Sequence, residues 1–525
     1  MMSFRTNIAI VLVVIGLFLL SSCSESGSEI DETSVPEDIE ESDTRTTPPT
    51  DDAEVEGRNP EEGDEEWGRC GDNVVQRDFS EECDESSSRC TACLFNTIPT
   101  KTTVNSKKEG DQSSVDVAMT EDGHLALLWV DSDLREDTDT LFLQEFKGTS
   151  PLKLRQLIGS DSRSSPKVAL SNINSGADDA DILVHVAWEG VVPDQQFTIP
   201  IYSQSFSSVS YTSKRERAVV YPNCWTAGNY DFTTEPATTS PGSYTYLAWS
   251  NLDNCELEGD IFDKNDIFFQ QDSLVGTRQL EYPGEQTYPK IFVAENGDVS
   301  LFFTSNKDIE GEDPLLGYRA YYEHLNRTSS TRSTTQVKAG YQLIDYDFSV
   351  SMDGDGGFVI VDDGYDSKSL FAYQFDNEGK LGSNSTVVNY GRDNRYSSLH
   401  RLAVNNAGSF VVIWSPYPLK VNPPENEDIA KSYQLFMRRY DTMGNSLDPE
   451  GGILVDSAKY SRYNNIYSNP PSVAIDGSGN VVVAYADVGA DGNGAGIVAK
   501  YYPAGSSEAT DLVGSPLEEV EIINK

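Results

Sequence analysis

From residue 99 to the carboxyl end the sequence repeats one pattern: a short alternating strand, a Gly-containing turn, an apolar strand ending in an aromatic, a variable loop, then an aromatic-rich strand. First and second strands read at 114–118 with 125–129, 166–169 with 184–188, 235–238 with 244–249, and 289–294 with 299–303. Three more pairs follow at 348–352 with 358–361, 399–404 with 410–414, and 471–475 with 481–485. A third strand follows in each unit, at 141–146, 201–206, 267–271, 318–324, 370–375, 435–440 and 497–502, and a shorter fourth shows at 386–389 and 452–455. One such sheet cannot hide both of its faces from water. A ring of them can, so the pattern predicts an all-β chain, a seven-bladed β-propeller of four-stranded antiparallel blades over 99–525. The recurring tryptophans are expected to fill the spaces between blades, at about 25 cal/mol per Å² of apolar area buried.

The third unit fits the pattern least well, which leaves six or eight blades open. Closure of the ring has two candidate strands, 102–105 and 519–523, and docking of the amino-terminal one onto the seventh blade is favoured. The repeat resembles the degenerate propeller repeats of secreted bacterial surface proteins.

Upstream of the repeats, Arg5 precedes an unbroken apolar stretch at 8–20, the layout of a secretory signal over 1–22 that is too short to span a bilayer comfortably. Leu20-Ser21-Ser22-Cys23 resembles the bacterial lipobox. That resemblance implies acylation of Cys23 and a lipid membrane as a standing partner, since two acyl chains or more hold a protein there durably. Ser24 stands where inner-membrane retention typically has aspartate, so the same resemblance implies the outer membrane or cell surface. Residues 23–66 then carry Asp, Glu, Ser, Thr and Pro with almost no large apolar side chain, and read as a disordered, self-repelling stalk.

With Cys23 assigned to lipid, six of the seven cysteines remain, and an even number in an exported chain points to disulfides. Cys70, Cys83, Cys90 and Cys93 fall within 67–95, where Cys70-Gly71-Asp72-Asn73, Glu82-Cys83-Asp84 and Cys90-Thr91-Ala92-Cys93 resemble the myxobacterial-type cysteine-rich repeat. Their pairing stays open among three arrangements, and the spacing of Cys90 and Cys93 also suits zinc. A disulfide between Cys224 and Cys255 is the structural reading of the remaining pair.

In a four-stranded meander the connections between second and third strands share one rim with those leading to the next blade. The latter are rich in Tyr, Asn and Arg. Tyr341, Tyr346, Tyr390, Arg392, Arg395, Tyr396, Tyr460, Tyr463, Asn464 and Tyr467 are therefore candidate ligand-binding residues, because tyrosine offers large contact area at small entropic expense. Asp353 and Asp355, and Asp487 and Asp491, lie in Gly-punctuated acidic runs that suit either calcium loops or tight turns, without a complete EF-hand pattern. No other cofactor is required.

A formal charge of −46, from 39 basic and 85 acidic residues, argues against nucleic acid as a partner. No GxSxG, HExxH or phosphate-cradling glycine loop is present, and His124, His185, His324 and His400 occupy non-equivalent positions in different units, so no catalytic residue is assigned. The sequence reads as a cell-envelope lipoprotein displaying a propeller for an extracellular glycan or protein, without catalysis. The alternatives are a polysaccharide hydrolase or lyase on the same scaffold and a purely structural envelope component.

Overall fold

A computed structural model describes residues 90–91, 94–95, 101–106, 110–133, 138–157, 166–172, 182–189, 201–207, 214–219, 230–234, 245–250, 255–257, 260–262, 267–271, 278–279, 286–305, 319–325, 332–336, 348–363, 369–389, 399–415, 431–460, 470–492, 494–517 and 520–523. The signal, lipobox and stalk lie outside the described residues, as do Cys70, Cys83, Cys93 and Cys224. Cys90 and Cys255 are described only as backbone, in the two-stranded hairpins formed by Cys90–Thr91 with Leu94–Phe95 and by Cys255–Leu257 with Asp260–Phe262.

Apart from those hairpins, the described strands form six four-stranded sheets and one five-stranded sheet. Every strand in the four-stranded sheets pairs antiparallel with the next in sequence, skipping only the inserted Cys255–Phe262 hairpin, and no α-helix occurs among the described residues. We call the sheets blades I to VII. Their first strands are Asp111–Met119, Lys167–Asn172, Tyr230–Thr234, Gln286–Val293, Ser349–Met352, Leu399–Val404 and Ser472–Ile475. Each touches the first strand of the next blade, and the seventh returns to the first. The chain is thus a seven-bladed propeller.

Blade III corrects one expectation. Its first strand is Tyr230–Thr234, not 235–238. Register pairs Tyr230 with Trp249 and Thr234 with Thr245, so that Tyr230, Phe232 and Thr234 are buried while Asp231 and Thr233 face the other way.

Burial follows from position in the blade. Second strands are covered on both faces by neighbouring sheets and read as continuous apolar runs, as in Phe410–Ser415, whose six residues are all buried. First strands alternate, because one face is turned to the axis; Gln286–Val293 is the example.

Seven apolar clusters fill the seven gaps between adjacent blades. One equivalent second-strand position supplies Trp129, Trp188, Trp249, Phe303, Trp414 and Tyr485, each packed in the cluster shared with the preceding blade. Trp129, Trp188 and Trp414 stack on Phe142, Tyr202 and Phe436 of the third strands. Burying one such aromatic contributes about 4 to 6 kcal/mol, from roughly 150–250 Å² at 25 cal/mol per Å². Blade V breaks the series with buried Asp362. Where Gly452 crosses Trp414, an added Cβ would stand 2.5 Å from the indole, so only glycine fits.

Both termini close the ring. The N–H of Val104 donates to the carbonyl of Ile497 (2.7 Å) on the third strand of blade VII, beside Leu512, whose N–H donates to Ala499 (2.9 Å). Asn105 adds side-chain ties: its Oδ1 accepts from the Ile497 N–H (2.8 Å), and its Nδ2 donates to Gln112 and Asp491. The carboxyl-terminal strand Glu521–Ile523 does not compete for that place. It pairs parallel with Ser150–Leu157, as the fifth strand of blade I.

Candidate ligand-binding channel

Side chains alternate along a strand, so register decides which first-strand residues face the axis. Asp116, Lys167, Asp231, Lys290, Ser349, Arg401 and Ser472 pair with Leu128, Ala187, Ala248, Phe302, Val361, Ile413 and Ala484, the residues just before the aromatic position. They form one row around the axis. With their neighbours they line a cavity of about 250 Å³ to which all seven blades contribute.

The row also ties blades together. Asp116 accepts from the Val168 N–H of blade II (2.9 Å) and from the Ser472 hydroxyl of blade VII (2.9 Å), while Ser472 accepts from the Val117 N–H (3.2 Å). Asp231 accepts from the Ile291 N–H of blade IV (2.9 Å), and Ser351, two residues beyond Ser349 of the row, accepts from the Val404 N–H of blade VI (3.2 Å). These bonds satisfy backbone donors that have no strand beyond them to pair with. They also hold the carboxylates in place.

Just before the row, blades I and IV carry β-bulges, between Ser113 and Asp116 and between Thr287 and Lys290. Ser114 (φ 51°) and Tyr288 (φ 54°), inside those bulges, are the only non-glycine residues with positive φ among the described ones. Left-handed backbone in such residues is uncommon, and bulges re-aim adjacent side chains. Here the residues re-aimed are Asp116 and Lys290.

At one end of the axis the turns joining first and second strands draw together. Glu121 of blade I accepts from the Asn406 N–H of blade VI (2.9 Å), and Asn406 Nδ2 donates to Glu295 of blade IV (2.8 Å). The N–H of Gly354 donates to Asn406 (3.2 Å), and that of Gly477 to the Glu121 carbonyl (3.1 Å). A Cβ on Gly477 would collide with the Glu121 carboxylate. Burial raises the Glu121 carboxyl above its usual value, and Asp476 and Glu295 add to this against the opposing Asn406 bond.

The Asp-Gly run at 353–357 is such a turn: Asp353 accepts from the N–H groups of Asp355 (3.0 Å) and Gly357 (2.7 Å). Asp376, Asp441 and Asp476 cap their turns in the same way. Asp487 is buried against the Lys101 ammonium, and Asp491 accepts from Asn105. Among the described residues, no group of three or more His, Cys, Asp or Glu is arranged to hold a metal ion.

Of the tyrosine-rich rim, Tyr341, Tyr346, Tyr390, Arg392, Arg395, Tyr396, Tyr463, Asn464 and Tyr467 lie outside the described residues, and Tyr460 is described only as backbone, at the end of Ile453–Tyr460. The axial row was missed by a reading centred on loops. Its signal is a charged or hydroxyl residue at the equivalent inward position of all seven first strands. The histidines stay apart, each with a neighbour: His124 with Glu145, His185 with Ser171 and Ser205, His324 with Tyr322, and His400 with the Val361 carbonyl.

No family model and no curated protein matches the chain. Among solved structures it is similar to a Dyadobacter fermentans protein of unknown function, at 10% identity and a TM-score of 0.35, over 61% of this chain and 94% of that one. A Penicillium chrysogenum α-L-arabinanase complexed with arabinobiose matches at 9% identity and a TM-score of 0.35, over 79% and 98%. A Trypanosoma rangeli sialidase in complex with sialic acid matches at 9% and 0.34, over 66% of this chain and 57% of its own length. Likenesses this distant bring no ligand with them, and function rests on the channel.

Proposed function

We propose that the chain is a cell-envelope lipoprotein, held at the outer membrane or cell surface through acylated Cys23, whose propeller binds an extracellular glycan in its axial channel without altering it chemically. The observation that carries this reading is the axial cavity itself. Seven strands converge there with hydrogen-bonding side chains in one row, and interlinked turns gather at one end of the same axis. Its volume, about 250 Å³, lies just under the range of about 300–1,000 Å³ usual for small-molecule sites. That suits a sugar ring, whereas a protein partner would need about 800 Å² of contact surface.

Two features favour binding over catalysis. Glycoside hydrolysis uses a pair of carboxyl groups, one of them a proton donor. In the channel lining Asp116 already accepts on both oxygens and Asp231 on one, each from a neighbouring blade. They act as ties. Among the described residues, no histidine lines the cavity. The test is a glycan array probed with the full chain in detergent, followed by incubation of each bound glycan with the protein. Retention of some glycans without release of new reducing ends is the expected result. Release of reducing or unsaturated ends would make the protein a hydrolase or lyase, and absence of any retained glycan would overturn the reading.

A further inference from the structure

Side chains two residues further along each first strand form a second row on the same axis, nearer the turns that join first and second strands. Register places Ala118, Ala169, Ala403 and Ala474 there on blades I, II, VI and VII, opposite Ala126, His185, Val411 and Val482. Thr233, Phe292 and Ser351 hold the same position on the consecutive blades III, IV and V, opposite Tyr246, Ser300 and Val359. Unlike the row before it, this one carries no ionisable residue. Its single large side chain is Phe292, and a hydroxyl flanks it on either side.

Phe292, Thr233 and Ser351 all line the cavity. Phe292 is half-buried, and its ring is held against Phe302 with centroids 5.8 Å apart and planes at 75°. Ser351 accepts from the Val404 N–H, which leaves the hydroxyl's own hydrogen to donate.

Beyond the second row the axis is shut. Glu121, Asn406 and Glu295, joined by hydrogen bonds, belong to blades I, VI and IV, no two of which are neighbours in the ring. Bonds between such blades run across the interior and not around it. Gly354 of blade V joins the same knot, donating to the Asn406 carbonyl and accepting from the Glu295 N–H (3.1 Å). The cavity lining stops short of all four residues, so a saccharide enters from the end opposite these turns.

Resting on the reading of the channel as a glycan site, we propose that the axis is a blind pocket for the terminal sugar of an uncharged glycan, its ring stacked on Phe292 and its hydroxyls met by Thr233 and Ser351. A pocket closed at one end accepts a chain end and excludes a chain passing through. The aromatic ring offers a broad apolar contact to the C–H face of a pyranose, and the flanking hydroxyls bond to the sugar's own at its edge. The uncharged row selects against an acidic sugar, whose carboxylate would be buried there without an ionised partner at its level.

The test is a ligand-observed NMR titration of the full chain in detergent with maltotriose, cellotriose, β-1,4-galactotriose and trigalacturonate. The methyl glycoside of each neutral terminal sugar is titrated beside them, and the series is repeated with Phe292→Leu, Phe292→Tyr and Thr233→Val. At least one neutral trisaccharide should bind, with its single-sugar glycoside within about tenfold of it, because one ring fills the closed end. Phe292→Leu keeps an apolar side chain against Phe302 without a flat face, and should weaken binding at least about fivefold, whereas Phe292→Tyr should restore it. Thr233→Val should weaken binding about threefold or more, and decides the matter if Phe292→Leu melts well below the parent. Affinity that rises more than about tenfold from one sugar to three, undiminished binding in a folded Phe292→Leu, or binding of trigalacturonate alone would overturn the blind pocket and leave the glycan site standing. Failure of every saccharide would sink the glycan site as well.

Discussion

Asn105→Ala probes ring closure at a single side chain. Asn105 is 3% exposed, and its amide holds three groups together: it accepts from the Ile497 N–H, donates to Gln112 and donates to Asp491. Truncation takes an acceptor from a buried N–H, worth about 1–3 kcal/mol, and a donor from a buried carboxylate, worth about 1.5–3 kcal/mol. The sum is about 2.5–6 kcal/mol, a large part of the roughly 5–15 kcal/mol that stabilises a typical domain. Because a propeller of this length need not unfold in one step, the measurement is native-state hydrogen exchange, residue by residue. The amides of Val104 and Ile497 should lose protection by that amount, and those of Phe410–Ser415 in blade VI much less. Asn105→Asp should be no better, since it sets a carboxylate against Asp491. If Val104 and Ile497 exchange as slowly as before, within about 1 kcal/mol, the amino-terminal segment does not lock the ring, and the reasoning fails.

Three further expectations follow from particular residues. Burial, with Lys147 and Arg155 adding to it against an opposing Asp122, lowers the His124 imidazole to about 4. The unfolded chain then takes up a proton near pH 6.5 and the folded one does not, so stability is complete above pH 6.5 and is lost as pH falls toward 4, by up to about 3 kcal/mol; His124→Gln should flatten the denaturation midpoint over that window, and an unchanged slope would contradict it. Gly477→Val should separate the turns of blades I and VII and lower the melting temperature by several degrees, since its Cβ meets Glu121; an unchanged melt would mean that the turns are not in contact. Mass spectrometry of the mature amino terminus should find acylated Cys23, and a Cys23→Ala protein that still fractionates with membrane would refute the anchor.

Much of the blade order was legible because second strands cannot be confused with anything else: Leu125 to Trp129 and Phe410 to Trp414 are apolar throughout, and Val184 to Trp188 is apolar but for His185, the pattern of a strand enclosed on both sides. First strands were harder. Tyr230–Thr234 mixes aromatic and polar residues in strict alternation, and since only one of its faces is enclosed, the stretch after it looked equally suitable until register fixed the pairing with Trp249. The same half-exposure concealed the axial row. Asp116, Lys290 and Arg401 read one at a time as solvent-facing residues, and only the closed ring makes them neighbours. Asp-Gly runs are ambiguous for another reason, since the oxygens that would ligate calcium are the same ones that cap a turn, as Asp353 and Asp476 do here.

The most direct test of the account fills the axis. Thr233 lies in the channel wall two residues beyond Asp231, half-buried, on the first strand of blade III. In Thr233→Trp the indole would occupy most of the space a sugar ring needs. The account predicts a protein that melts within a few degrees of the parent and retains no glycan on the array. A variant equally well folded that binds every glycan as the parent does would place the site away from the axis and contradict it.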